Sequence, residues 1–190
     1  MRPGWQVLPG KVSNCRSFSS GSPNDGQRSI PLDSAITSDL GLFLQDLIRQ
    51  RKPTTTLEVG LAYGISGLFI FEALRECGGK RHSAIDPNQS TQWEGLGFNK
   101  LAQAGFRDLL ELHESPSPLA LPNLEASRTR IEFAFIDGWH TFDRALTDFF
   151  HIDRKLAVGG IVVFDDVFFP ESIRLAAMCP EPRVFRKGLH

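Results

Sequence analysis

Twelve residues constrain this chain more than any others: Thr56-Leu57-Glu58-Val59-Gly60-Leu61-Ala62-Tyr63-Gly64-Ile65-Ser66-Gly67, followed by the apolar run Leu68 to Leu74. They read as a short buried strand, a glycine turn and a helix that begins near Ile65 and stops at Gly78-Gly79. Gly60 and Gly64 let the backbone bend tightly and let a ligand lie against it with no Cβ between. The next strand, His82 to Asp86, ends in a carboxylate 28 residues after Glu58. That is about where an α/β nucleotide fold places the acid that takes the two ribose hydroxyls.

Glu58 narrows the ligand. A dinucleotide seats its pyrophosphate on the helix N-terminus, and a carboxylate two residues before the first glycine opposes that phosphate. The same carboxylate suits a ligand with a cationic amino group and no phosphate, such as S-adenosylmethionine. The pattern E-x-G-x-x-x-G-x-S from Glu58 to Ser66, with I-D-P at the second strand, resembles the class I S-adenosylmethionine-dependent methyltransferases. The resemblance implies that Glu58, Gly60, Tyr63, Gly64, Ser66 and Asp86 bind the cofactor.

Length and charge set the remaining bounds. At 190 residues the chain suits one domain with a proper core. A net charge of -1 with no basic stripe gives no electrostatic reason to expect nucleic acid. Cys15, Cys77 and Cys179 are odd in number and widely spaced, which fits free thiols in a reducing, cytoplasmic setting. The apolar stretch from Ile161 to Phe169 is interrupted by Asp165 and Asp166 and is too short to span a membrane.

Residues 1–28 are rich in Ser, Gly, Pro and Asn without an apolar period, and are expected to form a disordered tail ahead of a domain over 29–190. Arg2, Lys11 and Arg16 precede any acid, a transit-peptide composition, but Pro3, Gly4, Pro9 and Gly10 spoil an amphipathic helix. Leu40, Phe43, Leu44, Leu47 and Ile48 then mark one helical face, closed by Arg49, Arg51 and Lys52 and stopped by Pro53. A helix is predicted from about Trp93 to Ala104, and a strand over Leu109 to His113 that Pro116 and Pro118 forbid from continuing. By position Glu114 and Ser115 resemble the family's acid-Ser pair that faces the adenine.

A further strand is predicted over Ile131 to Ile136. The helix after it carries Phe142, Ala145, Leu146, Phe149 and Leu156 on one stripe, and a fifth strand, Ile161 to Phe164, follows the Gly159-Gly160 turn. Continuous apolar strands alternating with amphipathic helices predict a Rossmann-like three-layer α/β sandwich with a mostly parallel sheet. A helix from about Pro170 to Met178 and one short strand, Arg183 to Arg186, complete the chain. The methyltransferase fold closes with an antiparallel hairpin, so this C-terminal hairpin reads as truncated, leaving a sheet edge that invites a second copy.

Strands four and five should bring Asp137, Asp165 and Asp166 together at their carboxyl ends, beside the ligand. Clustered carboxylates repel unless a cation bridges them, and Mg2+ would take one or two of them plus water and substrate oxygens. His140 stands where a base could reach a substrate. The D-G-x-H-x-F-x-x-x-x-x-D run from Asp137 to Asp148 resembles a bacterial small-molecule branch related to the cation-dependent catechol-type O-methyltransferases. By that resemblance Asp137, Asp165 and Asp166 are the metal ligands and His140 replaces a catalytic lysine. Without a metal, Asp137 and Asp165 would cap strand ends and position substrate. Asp143 and Asp148 read as solvated helix residues, and Trp139 as packing.

The expected activity is methyl transfer to a small-molecule acceptor, at a hydroxyl oxygen, with Asp137 and His140 at the reacting centre. An NAD(P)-dependent oxidoreductase is the rival enzyme class. The G-x-x-x-G-x-x-G spacing of Gly60, Gly64 and Gly67, Glu58, and the lack of a Tyr-x-x-x-Lys pair all oppose it. A catalytically silent nucleoside-binding protein or fragment is the third alternative.

Overall fold

The structure, a computed structural model, describes residues 5–8, 35–126, 129–165 and 183–187. Asp166 and the expected Pro170 to Met178 helix lie outside the described residues.

Helix α1 spans Ser38–Arg51; Thr37 caps it by accepting from Leu40 N at 3.3 Å, and it ends where Lys52 turns left-handed, with φ 51°, ahead of Pro53. Then come β2 (Thr55–Val59), α2 (Ile65–Glu76), β3 (Arg81–Ile85), α3 (Leu96–Gln103), β4 (Leu110–His113), α4 (Ser117–Glu125), β5 (Ile131–Ile136), α5 (Phe142–Lys155) and β6 (Leu156–Phe164). Two short strands, β1 (Trp5–Leu8) and β7 (Arg183–Lys187), come from the two ends of the chain.

All seven strands form one sheet in the order β1-β7-β6-β5-β2-β3-β4. The five central strands are parallel, with Leu57 level with Ser83 on one side and Ala134 on the other. Both faces are covered, so the strands are apolar throughout rather than alternating. Leu57, Val59, Ala134 and Ile136 face the α4 and α5 layer, packing with Leu121, Ala145 and Ile152. On the other face Phe133, Phe135 and Val163 meet Leu44, Ile48 and Ile70, while Phe71 stacks on Phe106 nearer β3 and β4. The expected three-layer sandwich is the observed one.

The sequence misled at four places. The hairpin expected to be truncated is made from both ends of the chain: β7 runs antiparallel to β6, and β1 pairs antiparallel with β7. Residues 5–8, within a stretch expected to be a tail, pair along β7 and are the outermost strand on that side. Helix α4 was not foreseen because of its prolines. Pro118 sits in the first turn, where its missing N–H has no partner to lose, and Ala120 and Leu121 are buried, so packing offsets the interior Pro122.

Strand β6 begins at Leu156 and runs through Gly159-Gly160, its register against β5 shifting between Ile131 and Phe133. Helix α5 is turned from the expected stripe: Ala145, Asp148 and Ile152 are buried, whereas Phe142, Leu146 and Phe150 are exposed. Asp148 is therefore no solvated residue; Asp143 is exposed as expected. Among the described residues no helix is long and apolar enough to cross a membrane.

Candidate active site

The chain order reverses between β2 and β5, so the loops leaving their carboxyl ends diverge and open a crevice there. A cavity of about 610 Å3 occupies it, lined by the bend after β2, the end of β3, the start of α4 and the Asp137 to Arg144 segment.

The bend is built from backbone constraints. Gly60 has φ 93°, and a Cβ there would lie 2.1 Å from the carbonyl oxygen of Asp137, so the loops after β2 and β5 touch through a gap only glycine leaves. Gly60 N donates to Ile85 O at 2.9 Å and Gly64 N to Leu61 O at 2.7 Å, closing the turn on which α2 begins. Gly60, Tyr63 and Ser66 line the cavity, while Gly64 lies behind it.

Asp86 lines the cavity and also holds the bend. Its Oδ2 accepts from Leu61 N at 3.2 Å, Ala62 N at 2.7 Å and Gln89 Nε2 at 3.0 Å; its Oδ1 accepts from Asn88 N at 2.9 Å. Each carboxylate oxygen has about two acceptor positions and Oδ1 takes a single bond, so Oδ1 keeps one for a ligand hydroxyl. Gln89, buried and not foreseen, also donates to Ala62 O at 2.8 Å, bracing the bend from below. Nothing in its local sequence marks it, because its role depends on β3 lying beside β2. Tyr63 and Trp93 meet edge to face with centroids 5.0 Å apart and form an aromatic wall.

Glu58 does not reach the cavity. Leu57 and Val59 point toward α4 and α5, and strand alternation turns Thr56 and Glu58 the other way, beneath α2. There Glu58 is fully buried: Oε2 accepts from Ser66 Oγ at 2.9 Å, and Oε1 lies 2.9 Å from Nε2 of the equally buried His82. The carboxylate expected to meet a ligand's amino group is thus corrected to one behind the wall, with Ser66 between it and the cavity.

Glu114 and Ser115 are likewise displaced. Glu114 is exposed and binds back onto the chain, accepting from Ser90 N at 2.6 Å and Ser90 Oγ at 2.7 Å, contacts that hold its carboxyl below the usual range. The cavity is lined instead by Pro116, Ser117 and Pro118, at the start of the unforeseen α4.

The opposite rim comes from β5, β6 and the first turn of α5. Asp137 N donates to Val59 O at 2.9 Å and Asp165 N to Ile136 O at 3.0 Å, which carries the two sheet ladders to the rim. Both residues line the cavity, as expected, beside His140. Their expected companion Asp166 lies outside the described residues, and among the described residues no group of three His, Cys, Asp or Glu could hold a metal. Trp139, expected to pack, is 66 % exposed at the mouth, with the Arg144 guanidinium 6.0 Å from its ring centroid. Behind the rim, burial pushes the Asp148 carboxyl up, opposed by a hydrogen bond from Ser117 and the charges of Arg144 and His151.

A glycine bend, an acid at the end of the neighbouring strand and a crevice at the switch point are the arrangement of an α/β fold with its ligand crevice at the carboxyl ends of the strands. The sequence profile of a family described as a methyltransferase domain matches residues 57–167, more than half of the chain, and the chain belongs to that family. It is 28% identical over 139 residues to a caffeoyl-CoA O-methyltransferase of Populus kitakamiensis, covering 71% of this chain and 56% of that protein. A putative caffeoyl-CoA O-methyltransferase of Arabidopsis thaliana is 31% identical over 136 residues, 70% of this chain and 55% of the other. The chain thus spans about half the length of the curated relatives it matches.

Among solved structures, the O-methyltransferase TomG from Streptomyces achromogenes, in complex with SAM, superposes with TM-score 0.67 at 20% identity, over 83% of each chain. An O-methyltransferase from Bacillus cereus, in complex with SAH, gives 0.67 at 17% identity, over 83% of this chain and 84% of that one.

Proposed function

We propose that this chain is an S-adenosylmethionine-dependent methyltransferase that transfers a methyl group to a hydroxyl oxygen of a small molecule. The observation that carries the reading is the Gly60 to Gly64 bend, pinned by Asp86 and closing one wall of the cavity at the switch point. Family membership and relatives named as O-methyltransferases support it.

The donors present fit such a cofactor. Asp86 keeps an Oδ1 acceptor for a ribose hydroxyl, Ser66 Oγ offers lone pairs to an ammonium group, and Tyr63 and Trp93 give flat apolar surface. Gly60 lets the main chain approach without a side chain, and no group along the bend demands a phosphate. When bound, S-adenosylmethionine supplies an electrophilic methyl group on a sulfonium leaving group.

The chain's own tasks are then to hold the acceptor in line and to take its proton. His140, exposed on the rim, accepts the proton of an acceptor hydroxyl at a ring nitrogen, and Asp137 orients the acceptor beside it. Trp139 and Arg144, exposed at the mouth, offer an aromatic face and a cation to the acceptor. Asp137 and Asp165 are the carboxylates that would hold Mg2+, an ion satisfied by one or two carboxylates with the rest of its shell from water and substrate, and it would acidify a bound hydroxyl.

Calorimetry with S-adenosylmethionine, S-adenosylhomocysteine and NAD tests the reading. Binding of the first two supports it; binding of NAD alone overturns it in favour of an oxidoreductase.

A further inference from the structure

Behind the cofactor wall runs a chain of buried polar groups, Thr56, His82, Glu58 and Ser66, of which the proposed function uses only Ser66. Thr56 Oγ1 lies 2.8 Å from His82 Nδ1, His82 Nε2 lies 2.9 Å from Glu58 Oε1, and Ser66 Oγ donates to Glu58 Oε2 at 2.9 Å. The Phe71 ring, 4.7 Å from the imidazole centroid, fixes its plane. Gly67 closes the pocket from α2, since a Cβ there would sit 3.2 Å from Glu58 Oε1. Only Ser66 touches the cavity.

The direction of the Ser66 hydrogen bond is the consequential feature. A hydroxyl has one hydrogen, and Ser66, a residue of the cavity wall, gives it to Glu58, so a ligand group that reaches Oγ meets lone pairs alone, polarised by the carboxylate behind it. A ligand group meeting Oγ must then be a donor, and a cationic donor is favoured. The arrangement holds only while Glu58 stays a fixed acceptor, and a buried carboxylate oxygen without a partner is costly. With His82 removed, Glu58 Oε1 would lose its buried partner and the carboxylate would swing away from Ser66, freeing the Ser66 hydrogen to turn into the cavity.

We propose that His82, acting through Glu58, is a positioning residue that holds Ser66 Oγ as an acceptor toward the cavity and so selects a ligand presenting an ammonium group there. The inference rests on the methyltransferase reading and adds what keeps Ser66, the acceptor proposed for the ammonium group, in that state.

The test compares S-adenosylhomocysteine with 5′-methylthioadenosine, which keeps the adenosine and a thioether but lacks the amino-acid end. His82→Leu should weaken S-adenosylhomocysteine binding by roughly ten- to hundredfold, the scale of a hydrogen bond to a charged group, and change methylthioadenosine binding by less than about threefold. His82→Gln, which restores an N–H toward Glu58, should recover most of the loss.

Equal losses for the two ligands would mean that the bend had collapsed, and would overturn the inference; so would unchanged S-adenosylhomocysteine binding. If His82→Leu does not fold, Ser66→Ala should show the same split between ligands, and an equal loss there overturns the inference as well. Failure of the unsubstituted chain to bind either ligand would sink the methyltransferase reading itself. Binding of both with no split sinks only the role given to His82.

Discussion

The two walls of the cavity are built on opposite principles. On the β2 and β3 side the polar groups brace one another: Asp86 accepts four hydrogen bonds, Glu58 is shared between His82 and Ser66, and Gln89 ties the bend to β3. The rim beside α5 is open, with Trp139, His140 and Arg144 exposed. A braced wall presents a fixed pattern of donors and acceptors, as recognition of one invariant cofactor requires. An exposed rim can accept acceptors of different shape and leaves His140, the base we propose, in contact with solvent. Substitutions on the inner wall should therefore appear in cofactor binding, and those on the rim in turnover.

The sharpest break is Gly60→Ala. A Cβ at φ 93° pressed on the Asp137 carbonyl displaces both loops; S-adenosylmethionine binding should fall about a hundredfold or more, roughly 3 kcal/mol of strain and misplacement, measurable by calorimetry. Next comes His140→Ala, which should lower kcat by about a hundredfold while leaving cofactor affinity within about twofold, as removal of a general base does. A parallel loss of affinity would place His140 on the inner wall instead.

Asp165→Ala should reduce activity by about tenfold and abolish its dependence on Mg2+, since one of two carboxylates is lost. Activity that is unchanged in chelator would retire the ion.

Asp148→Asn addresses the support of the rim. Burial raises the folded carboxyl above its unfolded value, so the folded state binds more protons and stability declines as pH rises from the ordinary Asp range through the raised value. The Asn variant should therefore melt higher than the parent at pH 7, with the gain vanishing in acid below the ordinary Asp range; a gain that persists there would refute the electrostatic cause. The smallest effect belongs to Phe150→Ser on the exposed face of α5, expected to shift stability by no more than about 0.5 kcal/mol in a denaturant titration.

Much of the architecture was legible because its signals are local. The apolar runs from Thr56 to Val59 and Ile131 to Ile136, each between turn residues, became β2 and β5, and Pro53 marked the end of α1. Gly60, Tyr63, Ser66, Asp86, Asp137, His140 and Asp165 were all placed on the cavity by motif and topology, and all line it.

Glu58 failed because a motif gives a residue's position along a strand but not what waits on the face it turns to. Here that face holds a buried imidazole from β3, and a desolvated carboxylate binds the nearest donors. Helix α4 and the face of α5 failed for a related reason. Pro122 and Asp148 are poor interior residues by propensity, and packing between the two helices overrode that preference.

The sequence by itself determined a parallel α/β sheet, the glycine bend at the end of β2 and the acids at the ends of β3, β5 and β6. These follow from hydrophobic runs, turn chemistry and the single direction in which β-α-β units wind. Only the tertiary structure decided which polar residues line the cavity, and that residues 5–8 pair along β7. The reason is that a carboxylate's role depends on whether water, a ligand or a buried partner lies within about 3 Å of its oxygens, and that distance is set by residues remote in the chain.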